Sequence, residues 1–375
     1  MVVFSGGGTG GHLYPALAIA DALRLLRPDV RVFFVGARRG LEARVLPERG
    51  EEHLLLPVQG IDRARLLGNW RALTGLAVGL RTVFRLFGER RPEVVVVTGG
   101  YAGAAAGIAA GLMGVPLVLQ EQNSVPGAVT KLLSRFATHG HVAFPEAATP
   151  LGMDVKRLTV SGNPVRSPSR MESGDARRTF GITADVPVAL VTGGSQGSLA
   201  LNRCVVSFVE NVIDGQLERP GGLHLLWSTG PQHFAAVEAA LRAAGSPEWV
   251  HALPYIEDVS TALAAADLAV SRAGAMSTAE LLNQGLPAIL IPLPTAAADH
   301  QLHNARALEA VGAARVVEEA SLTPSALARE LAGLIQHPDR LAEMRARALK
   351  RAHPNATDEI ARDVAQFLPP SRGLA

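Results

Sequence analysis

The chain has 375 residues, of which 48% are hydrophobic and 19% charged, with a formal net charge of +2. That is more chain than one ordinary core holds and too apolar for a disordered segment, so two folded domains are expected. The one cysteine, Cys204, excludes an internal disulfide and suits a reducing compartment, and Met1-Val2-Val3-Phe4 reads as a strand rather than a secretory leader.

Strand and helix patterns alternate from the first residue onward, which predicts parallel sheets covered on both faces. In the first half, strands are expected near 1–5, 31–36, 53–57, 93–98, 116–120 and 139–143. Helices are expected near 14–26, 41–49, 69–88, 102–112 and 126–137. The charge-free run from Val94 to Gln120 is long enough to span a bilayer, but Gly99, Gly100 and Pro116 punctuate it into strand, helix and strand. The second half repeats the grammar. Its strands are expected near 187–192, 223–228, 248–252, 267–271, 287–291 and 314–317, with helices between them and a last helical run near 338–365. The prolines and glycine of Ser161–Pro168 mark the joint, giving domains 1–162 and 163–337 and a tail, 338–375, expected to pack back on the first domain.

Charge is divided unevenly between the halves. Residues 1–163 hold 18 Lys and Arg against 12 Asp and Glu, and the remainder 18 against 22. A basic first half calls for an anionic partner such as nucleic acid, phosphates or a lipid surface. Within it, Trp70, Leu73, Ala77, Leu80, Phe84 and Phe87 recur at helical spacing, widened by Leu66, Leu67, Leu76, Val83 and Leu86. Arg63, Arg65, Arg71, Arg81, Arg85, Arg90 and Arg91 border that surface. Such a helix either buries its stripe in a core or rests on anionic lipid.

Each half opens with a strand running into glycines and then a helix: Gly6-Gly7-Gly8-Thr9-Gly10-Gly11-His12, with Pro15 early in the helix, and Gly193-Gly194-Ser195-Gln196-Gly197-Ser198. Backbone amides at such helix starts favour an anion. Gly6, Gly8 and Gly11 also satisfy the dinucleotide fingerprint, but the next strand ends in Arg38 and Arg39 where that fingerprint needs an acid for the ribose. NAD is therefore disfavoured, while an NADP variant stays open, and neither loop ends as a P-loop does. No Asp-x-Asp pair occurs, so a metal is not expected to be required and amides must stabilise a leaving diphosphate. An imidazole can take a hydroxyl proton, so His12 is a candidate base or else caps the loop or binds phosphate, with Glu121, after a strand's carboxyl end, as the rival base or else a loop anchor. Glu280 is suited to accept both ribose hydroxyls or else lies on a solvated helix face, and Arg166 contacts phosphate or else is a linker charge. His139, His141, His300 and His303 make no convincing metal set, since no carboxylate or cysteine completes them at ligand spacing.

A longer set of residues resembles the MurG family of glycosyltransferases. It comprises Gly7–Pro15, Gly99-Gly100-Tyr101, Glu121-Gln122-Asn123, Gly162–Arg166, Gly193–Gly197, Ser271–Ala275, Glu280, Gly285-Leu286-Pro287, and Asp299-His300-Gln301 with Asn304. The resemblance implies an α/β, GT-B type fold: two Rossmann-like domains whose parallel sheets face an interdomain cleft. It implies inverting transfer of N-acetylglucosamine from UDP-GlcNAc to lipid I, without a cofactor. It further implies work at the anionic inner-membrane surface, on the cytoplasmic face, and no nucleic acid partner. By the same resemblance Thr9, Gly10 and Gly11 lie against the donor and the diphosphate side of the cleft, Tyr101 belongs to the substrate site, Asn123 and Arg166 meet the donor sugar or its phosphates, and Ser195 and Gln196 meet the diphosphate. Ile256 would touch uracil through its backbone. The helix start from Ala275 through Met276, Ser277, Thr278 and Ala279 to Glu280 would hold diphosphate and ribose, and Gln301 the GlcNAc. Ala296-Ala297-Ala298 departs from the more acidic run of many relatives, which makes the contacts beside Gln301 the least secure.

Overall fold

A computed structural model describes residues 1–60, 70–182 and 185–370, the side chain of Arg71 excepted. The chain divides into two units, Met1–Val165 with Asn355–Ala375, and Arg166–Pro354.

In the first unit the elements run β1 (Val2–Gly6), α1 (Gly10–Leu26), β2 (Val32–Ala37), α2 (Glu42–Glu48), β3 (His53–Leu56), α3 (Trp70–Glu89), β4 (Val94–Gly99) and α4 (Gly100–Leu112). They continue with β5 (Leu117–Glu121), α5 (Ala128–Leu133), β6 (His139–Val142), α6 (Ala148–Leu151) and β7 (Leu158–Val160). The strands form one parallel sheet in the order β3-β2-β1-β4-β5-β6-β7. Val94 to Val97 are fully buried because helices cover both faces, which is why β4 reads as an unbroken apolar run rather than an alternation. No helix among the described residues is long and apolar enough to cross a membrane. The charge-free run resolves into β4, α4 and β5.

In the second unit α7 (Ser173–Thr179) leads into β8 (Val188–Thr192), α8 (Leu199–Ile213), β9 (His224–Ser228), α9 (Phe234–Ala243), β10 (Val250–Leu253), α10 (Val259–Ala265) and β11 (Leu268–Ser271). There follow α11 (Ala275–Gln284), β12 (Ala288–Leu290), α12 (His300–Ala310), β13 (Ala314–Val316), α13 (Pro324–Ile335) and α14 (Pro338–Lys350). Its parallel sheet runs β10-β9-β8-β11-β12-β13.

Three expectations shift. The tail is not one piece. Helix α14 buries Met344 in the core of the second unit, and only α15 (Ala356–Ala365) returns, laying Ile360, Ala361 and Val364 against Leu13, Leu17 and Ala20 of α1. Helix α1 begins at Gly10, so Pro15 is inside it and, lacking an N–H, leaves the Gly11 carbonyl without its helical donor.

The apolar stripe of α3 divides as well. Phe87 is buried and Leu80 and Phe84 partly so, but Trp70, Leu73 and Ala77 face solvent with Val78. The inward face at that end belongs instead to Ala72, Gly75 and Gly79. A Cβ on Gly75 would stand 2.4 Å from the Pro57 carbonyl oxygen, so only a small residue lets the helix lie that close to the chain after β3. Leu66, Leu67, Arg63 and Arg65 lie outside the described residues.

Candidate functional site

A parallel sheet binds ligands where its strand order reverses, beyond the carboxyl ends. In the first unit that point lies between β1 and β4. His12 stands two residues into α1, after β1, and Gly99-Gly100-Tyr101 follows β4. Gly99 adopts φ 110°, and a Cβ there would lie 2.7 Å from His12 Nδ1, so the turn has to be glycine for the ring to fit.

A buried chain of amides fixes the protonation of that ring. Gln122 Nε2 donates to the carbonyl oxygens of Thr98, at 2.8 Å, and Gln120, at 3.0 Å. Its Oε1 is thereby turned toward His12 Nδ1, 2.9 Å away. An amide oxygen only accepts, so Nδ1 carries the proton and Nε2 keeps its lone pair. Gln120 donates to Asn163 Oδ1 at 3.1 Å, and Asn163 Nδ2 donates back to the Gln122 carbonyl at 3.0 Å, which holds both glutamines in place. Thr98 Oγ1 donates to the His12 carbonyl at 2.7 Å.

Glu121 is differently employed. It is 3% exposed, and its carboxylate accepts the Asn123 amide at 3.1 Å, Asn123 Nδ2 at 3.3 Å and the Gly127 amide at 3.0 Å. Those bonds fold the β5–α5 loop and set the position of Asn123. Glu42, the first residue of α2, is fully buried, and its two oxygens accept the Gly8 amide at 3.0 Å each while Oε1 also takes the Ala37 amide at 2.7 Å. The first glycine-rich loop is therefore wrapped on a carboxylate of the protein itself. Thr9 and Gly11 are exposed, Gly10 is partly so, and Tyr101 is exposed beside Gly60.

In the second unit the order reverses between β8 and β11. After β8, Ser195 and Gln196 are exposed, and Ser198 caps α8 by accepting the Leu201 amide. Beneath that cap lies Arg272, 6% exposed. It donates to Ser198 Oγ at 2.6 Å, to the carbonyls of Ile291 and Pro292 at 3.1 and 3.2 Å, and to Glu319. After β11, α11 starts at Gly274 with no side-chain cap and no acidic residue in its first turn, an arrangement that favours an anion. Ala275, Met276, Ser277 and Ala279 are partly exposed and Thr278 is buried.

On the same helix the partly buried Glu280 has its carboxyl pushed up to about 7 by desolvation, while nearby Arg166 pulls the other way. Ile256 is buried in the β10–α10 loop. Gln301 spends its side-chain oxygen on the Leu293 amide at 3.0 Å. Just before it, Ala298 and Asp299 both take left-handed φ, 51° and 52°, an unfavourable setting for non-glycine residues and most of all for alanine.

Sequence reasoning passed over Glu42 and Gln120, and it quoted Gln122 and Arg272 within motifs without giving either a role. Gln120 and Gln122 carried a signal, since two amides two residues apart at the end of an otherwise apolar buried strand call for partners. Glu42 carried none, because an acid in a first helical turn is ordinary.

Two Rossmann-like units, each with a glycine-rich loop after the first strand of its parallel sheet, make up the GT-B fold class. Residues 2–142 match the glycosyltransferase family 28 N-terminal domain and residues 188–360 the family 28 C-terminal domain. The UDP-N-acetylglucosamine–N-acetylmuramyl-(pentapeptide) pyrophosphoryl-undecaprenol N-acetylglucosamine transferase of Salinibacter ruber is 42% identical over 97% of this chain and 95% of its own. Its namesake in Chlorobaculum parvum is 39% identical over 96% and 97%. The crystal structure of Acinetobacter baumannii MurG superposes with a TM-score of 0.78 at 29% identity, covering 98% of this chain and 99% of that one. The chain belongs to glycosyltransferase family 28 and, within it, to the MurG transferases.

Proposed function

We propose that the chain transfers N-acetylglucosamine from UDP-GlcNAc to the 4-hydroxyl of the MurNAc of lipid I, with inversion, forming lipid II for peptidoglycan synthesis. The observation that carries the mechanism is the fixed tautomer of His12, whose Nδ1 is committed to Gln122. Nε2 takes the proton of the acceptor hydroxyl. That oxygen bonds to the anomeric carbon as the bond to the UDP oxygen breaks, in a single in-line displacement. Charge on the departing UDP falls to the amides that open α11 and the second glycine-rich loop, with Ser195, Gln196 and Arg166. Glu280 accepts the ribose hydroxyls, the Ile256 backbone meets uracil, and Gln301 and Asn123 contact the sugar. Thr9, Gly10 and Gly11, whose loop is folded on the Glu42 carboxylate, serve the acceptor side with Tyr101 and not the diphosphate side that the resemblance implied. Glu121 acts through the loop it folds rather than on the proton.

The test is product formation from UDP-GlcNAc and a lipid I analogue by wild type, His12→Ala and Glu121→Ala. A His12→Ala enzyme with the wild-type rate would overturn the assignment.

The enzyme works at the cytoplasmic face of the membrane as a peripheral protein, resting on anionic lipid through the start of α3. Support comes from Trp70, Leu73, Ala77 and Val78, all exposed, with the exposed cations Arg81 and Arg85 further along the helix.

A further inference from the structure

We infer that the first unit carries a binding site for a divalent transition metal of the zinc class, formed by His139, His141 and Asp363. Strand β6 sets the two histidines on one face, two residues apart, with ring centroids 4.9 Å from each other. Helix α15, arriving from the far end of the chain, supplies the carboxylate that the sequence neighbourhood of β6 lacks. One ligand atom from each of the three residues lies within 4.8 Å of the others, and His141 Nε2 is 3.7 Å from Asp363 Oδ2. His300 and His303, grouped with this pair in the sequence, belong to the second unit and take no part.

His141 supplies the independent observation. Its side chain is 1% exposed, yet neither ring nitrogen has a hydrogen-bond partner. Buried polar atoms are rarely left so, and an imidazole with both nitrogens unused asks for an explanation. Asp363 does not provide it, because its nearer oxygen lies 3.7 Å from His141 Nε2, beyond hydrogen-bond reach. A neutral imidazole with an open lone pair is the form that binds a metal.

The surroundings fit an outer shell. His139 Nε2 lies 3.0 Å from Thr159 Oγ1, which leaves Nδ1 for the ion, and Gln366 Nε2 donates to Asp363 Oδ1 at 3.3 Å, on the oxygen turned away from His141. Two imidazoles and one carboxylate suit zinc or cobalt and not calcium or magnesium, which take oxygen donors. Ligand atoms on one tetrahedral zinc stand about 3.4 Å apart, so closing on the ion asks these side chains to move by about an ångström. The Asp363 side chain is 37% exposed, so water can reach the fourth position. The ion would fasten α15 to β6. It uses none of the residues assigned to sugar transfer, so it stands apart from that reading.

The test is titration of the chelator-treated full chain with Co2+ and Zn2+. One tightly bound ion per chain is expected, with the visible absorption of four-coordinate Co2+, its loss when Zn2+ is added, and a thermal midpoint that rises with Zn2+. His139→Gln and Asp363→Asn, each checked for folding by circular dichroism, should weaken binding at least tenfold, on the about 10–100-fold scale seen even for outer-shell partners. His224→Gln is the control. It removes the other histidine pair, His224 and His251, whose ring nitrogens lie 3.1 Å apart in the second unit, and should change nothing. Equal affinity in wild type and Asp363→Asn, no binding by wild type, or loss of the ion on His224→Gln would each overturn the inference.

Discussion

The two glycine-rich loops share one sequence grammar and have opposite electrostatic backing. In the first, the Gly8 amide points at the buried Glu42 carboxylate. In the second, the cap residue Ser198 rests on the buried Arg272 guanidinium, itself paired with Glu319, and the loop leads Ser195 and Gln196 out to solvent. A glycine-rich turn is thus not by itself a phosphate cradle; the charge behind it decides what the turn can hold. The first loop is built as a stiff mount for His12, the second as a surface that welcomes negative charge.

Substitutions can break this contrast. The largest effect is expected from His12→Ala, which should lower kcat by about 100-fold or more, the usual scale for a general base, while UDP affinity in a binding titration stays at the wild-type value. Loss of UDP binding would mean that the first loop holds the nucleotide after all. Next come the two backing charges. Arg272→Met leaves Glu319 and Ser198 without their donor and should cost about 3 kcal/mol in urea unfolding, with weaker UDP binding. Glu42→Gln puts an amide donor among backbone donors and should cost about 1–3 kcal/mol with UDP affinity intact. If instead Glu42→Gln strengthens UDP binding, the first loop is an anion site that the carboxylate suppresses.

A subtler effect belongs to Glu280. Its folded pKa, about 7, stands above the ordinary 4.5, so the stability it contributes is complete below pH 4.5 and is lost as pH rises through 7. UDP affinity should move the other way, rising with pH across that window as the carboxylate forms. Glu280→Gln should flatten both curves, which chemical unfolding and calorimetry at several pH values would register. The smallest change is expected from Trp70→Ser with Leu73→Ser, which should reduce co-sedimentation with anionic vesicles while leaving turnover of a water-soluble acceptor analogue unaltered. Vesicle binding equal to wild type would remove the membrane reading of α3.

The fold was largely legible because buried parallel strands announce themselves as apolar runs, as Val94–Val97 does, and glycines mark their carboxyl ends. Strand β7 was not expected, although β12 and β13, equally short, were. On α3, periodicity found one apolar stripe but could not divide it between core and solvent, since the inner side at its start is set by how closely the Pro57 backbone approaches, and that selects Gly75 over the larger Leu73. The candidate site was legible as a set of motifs but not in its internal wiring. His12 and Gln122 are 110 residues apart, and nothing local says that one fixes the proton of the other. The same limit hid Asp363, which meets His139 and His141 only because the last helix crosses back.

That crossing has a consequence for how the molecule comes into being. Ile360, Ala361 and Val364 complete the apolar surface that Leu13, Leu17 and Ala20 begin, so α1 waits for α15, which is made only after the whole second unit. Until then the nascent first unit exposes a sticky groove along α1, while the intervening second unit, Arg166–Pro354, is already complete in sequence.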